Sequence, residues 1–383
     1  MQRRKNFLLT AIILLAAAAA CTSGGGEGGG GAGSGQNAGG AGTARRKKGP
    51  NDKIFIGFLM DTLKEERWQR DKDLVERRAA EVGAQLSVQV ANGDDNLQIK
   101  QAENLLSQQV DVLIVVPHNG EIAATIVEMA HREGVPVVSY DRLIKNSDVD
   151  LYLSHQVVKI GEMQADYILQ RAPKGNYVVV QGSATDNNAR LLHDGQMNVL
   201  KPAADRGDIK IVVDQPAREW RAEEALKIVE NALTQVNNDV VAVVASNDGT
   251  ARGAIQAIDA QRLAGKVLVS GQDADLASLQ LIVEGKQTMT IYKPIQPLAY
   301  GAVDAALKLA RGQTVETNDT VDNGRKKVPA MLYEPMAVDK NNIGVIVKDG
   351  YKTREKICEK IPAPQCPPRD APAAAATAPA RQP

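Results

Sequence analysis

Ile54-Phe55-Ile56-Gly57-Phe58-Leu59-Met60 is an apolar run without polar alternation, opened by Lys53 and closed by Asp61. A strand that keeps apolar side chains on both faces belongs to a parallel sheet covered by helices on both sides. The chain outward from this stretch repeats the unit. Trp68 to Val82 reads as a helix closing at Gly83, Gln85 to Val90 as a strand, Asn96 to Gln108 as a helix and Val110 to Val116 as a strand. Glu121 to Glu133, ended by Gly134, is a further helix, and Val135 to Tyr140 a further strand. Strand and helix in strict turn predict an α/β, doubly wound architecture.

The rhythm then restarts. Helices are expected over Val157–Arg171, Asn188–Ala203, Arg221–Leu233 and Gly249–Ala260, with strands at Asn176–Val180, Ile209–Val213, Val240–Ala245, Lys266–Gly271 and Thr288–Tyr292. A second parallel sheet means a second lobe, and the body is long enough for two domains of ordinary size. A helix over Pro297–Ala310 and strand-like residues at Pro329–Tyr333 follow, so the chain crosses between lobes more than once. The expected division is an N-terminal lobe at 51–153 with 295–327, and a C-terminal lobe at 154–294 with 328–361.

Both ends differ from this body. Arg3-Arg4-Lys5, a short apolar run from Phe7 to Leu15, five alanines and Cys21 make a secretory signal peptide over residues 1–21. Small residues directly before Cys21 suit a lipobox, where the cysteine takes the lipid; ordinary cleavage nearby, leaving a stray thiol, suits them too. Residues 22–50 are mostly Gly, Ser and Ala, a flexible tether. Residues 362–383, rich in Pro and Ala, read as a disordered tail. Cys358 and Cys366 are placed to pair in an oxidising compartment.

The 46 basic side chains balance the 46 acidic ones, which gives no global field for nucleic acid. In parallel sheets ligands bind beyond the carboxyl ends of the strands. Those positions carry Asp61, Arg67 and Trp68, then Pro117-His118-Asn119, then Asp141 and Arg142. In the second half they carry Asp186 and Asn188, Trp220, Asn247, Asp273 and Lys293. Hydroxyl groups both donate and accept, and sugar rings present apolar C–H faces that pack on flat aromatic surfaces. Both tryptophans of a chain with only 3% aromatic residues stand at such strand ends. Asp141, Asn247 and Asp273 also suit helix caps. No His or Cys pair has metal-ligand spacing.

Several of these motifs are similar to one family. Glu66-Arg67-Trp68-Gln69-Arg70-Asp71, Tyr140-Asp141-Arg142, Asp186-Asn187-Asn188-Ala189, Ser246-Asn247-Asp248, Gly271-Gln272-Asp273-Ala274-Asp275 and Tyr292-Lys293-Pro294 resemble the D-xylose-binding members of the periplasmic sugar-binding family. The resemblance covers nearly the whole body and departs from the family at His118 and around Pro216–Arg221. It implies a type I periplasmic-binding fold with a three-stranded hinge. It implies a monomer without cofactor or catalysis that hands a monosaccharide, D-xylose, to an ABC transporter permease. Arg67, Arg142, Asp186, Asn188, Asn247, Asp273 and Lys293 would hydrogen-bond the sugar, and Trp68 and Trp220 would sandwich its ring. A lipidated Cys21 would fix the protein to a membrane outside the cytoplasm. Three other functions compete: a sensor partner in place of a permease, a glycosidase using two of the carboxylates, and a sugar-responsive repressor. The last would need a DNA-binding module before residue 51, where signal peptide and glycines stand.

Overall fold

The computed structural model describes residues 47–366. The expected signal peptide with Cys21, nearly all of the expected tether and the residues beyond 366 lie outside the described residues.

The first sheet opens with β1 (Phe55–Met60), followed by α1 (Glu66–Glu81), β2 (Gln85–Val90), α2 (Asp95–Ser107), β3 (Val112–Val115), α3 (Ala124–Arg132), β4 (Val137–Tyr140) and β5 (Leu151–His155). The second body runs through α4 (Val157–Leu169), β6 (Gly175–Gln181), α5 (Asn187–Asp205), β7 (Ile209–Pro216), α6 (Ala222–Gln235), β8 (Ala242–Ala245), α7 (Asp248–Ala260), β9 (Leu268–Val269) and α8 (Leu276–Glu284). The remaining elements are β10 (Thr290–Tyr292), α9 (Ile295–Ala310), β11 (Asp319–Asp322), β12 (Lys327–Tyr333), β13 (Met336–Val338), α10 (Gly344–Lys348) and α11 (Arg354–Ile357).

Seven strands form the first sheet in the order β11-β12-β5-β4-β3-β1-β2, and four form the second as β7-β6-β8-β9. All neighbours in them run parallel except the β11–β12 hairpin. The central strands show why their sequences lack polar alternation. On β3, Val112 and Ile114 pack on one face of the sheet, Leu113 and Val115 on the other. On β8, Val243 and Ala245 face one layer, Ala242 and Val244 the opposite one. Two glycines set the seat of α5: a Cβ on Gly161 would stand 2.0 Å from the Leu192 carbonyl oxygen, and one on Gly195 2.0 Å from that of Val158. Helices α4 and α5 therefore meet backbone to backbone, which fixes the N-terminus of α5.

Two expectations change. Thr288–Tyr292 does not complete the second sheet: β10 touches it through one bridge, Gln272 to Ile291, and pairs antiparallel with β13. Positive φ at Asp273 (100°) and Ala274 (54°) turns the backbone out of extended geometry directly after that bridge. The chain also returns to the second body after Tyr333 rather than at 328, because β12 fills the open edge beside β5, with Ala330 opposite Tyr152.

The chain thus passes between the bodies three times: after β5, between β10 and α9, and between β12 and β13. The crossing segments touch. Gln156 N donates to the Tyr333 carbonyl (3.1 Å), and His155 Nε2 lies 3.2 Å from the Pro294 carbonyl.

Candidate functional site

Each strand end delivers its residue by a local device. Arg67 and Trp68 occupy the first turn of α1, directly after the loop that leaves β1. Arg142 follows Asp141, whose φ of 60° turns the chain at the end of β4. Asp186 is the N-cap of α5 and accepts from Asn188 N (2.8 Å). Trp220 ends a short 3-10 turn between β7 and α6, with φ of 57°. Asn247 caps α7 in a reciprocal box with Thr250. Asp273 N donates to Ile291 O (2.8 Å), which holds it beside Lys293 at the end of β10.

All nine residues singled out as sugar contacts line one cavity. Arg67, Trp68 and Arg142 enter from the first body; Asp186, Asn188, Trp220, Asn247 and Asp273 enter from the second; Lys293 stands on a crossing segment. Both indoles are buried. The guanidinium of Arg67 lies 4.2 Å from the Trp68 ring centre, and that of Arg142 5.3 Å from it. A Cβ on Gly182 would fall 2.1 Å from the Trp220 ring, so only glycine lets the indole lie flat there.

The charges lining the cavity pair with one another. Arg67 holds Asp71 through two bonds (3.0 and 3.1 Å) and Asp141 through a third (2.7 Å). Arg142 lies 2.6 Å from Asp61 and 2.8 Å from Asp186. Lys293 lies 2.9 Å from Asp273. Trp220 Nε1 donates to Asp186 Oδ2 (3.2 Å), and Asn188 Nδ2 to the Asp141 carbonyl (3.0 Å). Burial tends to raise the Asp141 carboxyl, but Arg67 and Lys293 outweigh it and hold Asp141 well below the usual range. Burial raises Asp186 against the pull of Arg142. Burial would lower Arg142, but Asp186 and Asp61 reverse this and keep it charged. Burial, then Lys293, push His155 down to about 3, so its ring is neutral at physiological pH.

The helix-cap alternative resolves residue by residue. Asn247 is a cap and a cavity residue at once, as is Asp186. Asp273 caps nothing: the residue before α8 is Asp275. Sequence reasoning passed over Glu65, Ser154, His155 and Gln272, which also line the cavity, and left Asp141 out of the proposed contacts. Gln272 and Asp141 lie inside motifs already singled out. Ser154 and His155 end β5, a strand the pattern did not mark. His118 lies outside this cavity and pairs with Asp61 (2.9 Å). His193 pairs with Asp214 (2.8 Å), away from the site. Among the described residues no group of His, Cys, Asp and Glu side chains is arranged to hold a metal ion. Cys358 and Cys366 are joined with Cα atoms 5.8 Å apart, an ordinary disulfide separation.

Hydrogen-bonding groups from two bodies, two flat apolar faces and mutually paired charges can enclose a neutral polyhydroxylated ring. Comparisons with known proteins agree with this geometry. Residues 56–314 match the family model described as a periplasmic binding protein domain. A D-xylose-binding periplasmic protein of Haemophilus influenzae is 51% identical over 303 residues, 79% of this chain and 91% of that protein. One from Escherichia coli is 48% identical over 305 residues, 79% of this chain and 92% of that protein. A carbohydrate transporter solute-binding protein of Chloroflexus aurantiacus, solved with D-glucose, superposes with a TM-score of 0.76. It is 30% identical and covers 80% of this chain and 98% of its own.

Proposed function

Because the chain belongs to the periplasmic binding protein family and has its type I fold, we propose that it captures D-xylose between its two bodies and delivers it to an ABC transporter permease. One observation carries the reading: nine residues from both bodies and a crossing segment, both indoles among them, line a single cavity. Arg67, Arg142, Asp186, Asn188, Asn247, Asp273 and Lys293 hydrogen-bond the sugar, and Trp68 and Trp220 cover its ring. The protein acts outside the cytoplasm as a monomer, held to a membrane through a lipid on Cys21. The two lobes are the bodies built on the two parallel sheets, and the Cys358–Cys366 bond closes the end of the folded body.

Hydrolysis is a poor fit to the same carboxylates. A glycosidase needs a protonated acid free to meet the leaving oxygen. Asp141 is held ionised by Arg67 and Lys293, and Asp186 is engaged by Arg142, Trp220 and the start of α5. Calorimetric titration with D-xylose, L-arabinose, D-ribose and D-glucose tests the proposal. D-xylose is expected to bind tightest; tighter binding of another sugar overturns the assignment to xylose.

A further inference from the structure

Three neighbouring strands of the first sheet, β4, β3 and β1, lead into Arg142, His118 and Asp61. Of the three, Arg142 lines the sugar cavity; all three line a second cavity beside it. Asp61 is buried and uses its two carboxylate oxygens separately. Oδ1 lies 2.9 Å from His118 Nδ1, and Oδ2 accepts from Arg142 Nη1 (2.6 Å). Burial tends to raise the Asp61 carboxyl, but His118 and Arg142 outweigh it and hold the group below its ordinary 3.8. An ionised carboxylate only accepts, so His118 Nδ1 carries the proton of the shared bond. The imidazole is seated from behind. His118 N donates to Gln98 Oε1 (3.2 Å), and the buried Gln98 amide donates to the Val116 carbonyl (2.9 Å). A chain of polar contacts thus runs from α2 through His118, Asp61 and Arg142 to Asp186, which lies 2.8 Å from Arg142 Nε.

We propose that His118 is a positioning residue for sugar binding: by occupying one oxygen of Asp61 it keeps the Asp61–Arg142 contact single and so aims the guanidinium into the cavity. This deepens the sugar-binding reading and rests on it. A carboxylate and a guanidinium favour a bidentate pair, with two parallel N–H···O bonds. His118 withholds the second oxygen. Arg142 then spends Nη1 on Asp61 Oδ2, with the Pro117 carbonyl 3.3 Å away, and keeps its other N–H groups for Asp186 and the sugar. Without the imidazole, Asp61 Oδ1 is a buried acceptor with no donor, which is costly. Its nearest remedy is to turn both oxygens onto Arg142, which rotates the guanidinium away from Asp186 and the ligand. His118 touches none of the sugar contacts and acts only through Asp61 and Arg142.

The test is calorimetric titration of D-xylose into the full chain and its His118→Leu, His118→Asn, Asp61→Ala and His118→Leu/Asp61→Ala variants. His118→Leu should weaken xylose binding about tenfold, the worth of one hydrogen bond to a charged group. His118→Asn, whose amide N–H stands in for Nδ1–H, should stay within about threefold of wild type. A residue that mattered only for filling space would give the opposite order, because Leu fills more of the imidazole's volume than Asn. In the Asp61→Ala background the change to Leu should cost less than about twofold, since the group that transmits it is gone. The proposal is overturned if His118→Leu binds within about twofold of wild type, if His118→Asn binds as weakly as His118→Leu, or if the His118→Leu loss persists undiminished without Asp61. Any of these results with wild type still binding D-xylose leaves the sugar-binding reading standing; failure of wild type to bind the sugar overturns both.

Discussion

Arg142 Nε of the first body lies 2.8 Å from Asp186 Oδ2 of the second, and the same carboxylate oxygen accepts from Trp220 Nε1. One carboxylate thus joins the bodies, orients an aromatic face and, through Oδ1, caps α5. Asp186→Ala removes all three. Xylose affinity should fall about a hundredfold or more, since charge-assisted bonds contribute roughly 1.5–3 kcal/mol each. The lost cap should cost about 1 kcal/mol of apo stability. Small-angle scattering should show wild type contracting on xylose addition, as a closing hinge requires, and the variant contracting less. A wild-type profile that ignores saturating sugar would count against closure.

The Trp220 indole lies against Gly182, with no room for a Cβ between them. Trp220→Ala should weaken xylose binding by tenfold to a hundredfold, on the order of 1.5–3 kcal/mol for a large buried side chain. Gly182→Ala, which adds one methyl at a position outside the sugar cavity, should weaken it by a similar factor by displacing the ring. Asp273→Ala should weaken binding by about tenfold or more, and should also lower apo melting, because it leaves the buried Lys293 ammonium without its 2.9 Å partner. Unchanged xylose affinity in all three variants, measured by calorimetry, would remove the aromatic wall and its neighbour from the site.

Behind Asp273 stands a buried acid pair. Asp275 N donates to Asp248 Oδ2 (2.9 Å), and Asp275 Oδ2 pairs with Arg252 (2.9 Å). Burial first, then Asp273, push Asp275 up to about 6 from its ordinary 3.8. A carboxyl whose pKa is raised by folding binds its proton more tightly in the native state. Its contribution to stability is therefore full below about pH 4 and is lost as pH rises to about 6. Asp275→Asn should flatten that part of the profile. Relative to wild type it should gain on the order of 1–3 kcal/mol between pH 4 and pH 7. Chemical denaturation of both proteins at the two pH values measures the difference, and parallel curves would refute it.

The proposed membrane attachment through a lipid on Cys21 has a direct test. Wild type should partition into the membrane or detergent fraction, and Cys21→Ala should appear in the soluble fraction. A wholly soluble wild type with another mature N-terminus would dismiss the anchor.

The strands and their ends were readable because parallel sheets leave strong local marks. Apolar runs such as Val112–Val115 have both faces buried, and the polar residues that follow them stand at the ligand edge. What escaped depends on contacts between distant segments. Strand β5 escaped because it follows the irregular stretch 141–150 instead of a helix. Its partner β12 lies far along the chain, and nothing local to Leu151–His155 announces that pairing. The same holds for Glu65 and His155. Neither belongs to a motif, and each reaches the cavity only through the tertiary fold. Left-handed backbone at Asp141 and Trp220 is likewise set by the packing around them.

Three crossings mean that neither lobe is encoded by one continuous stretch of gene. A fragment ending near 154 would carry β1 to β4 and most of β5 but lack β12, exposing the edge that Ala330 to Tyr333 normally covers. It would also lack α9, whose apolar face fills the layer against α1. Such a piece presents an unpaired strand edge beside uncovered apolar surface, the combination that drives aggregation. Reporter insertions and split versions of the chain should therefore avoid the natural-looking midpoint and use exposed surface turns such as that around Gly207, where an added Cβ meets no atom.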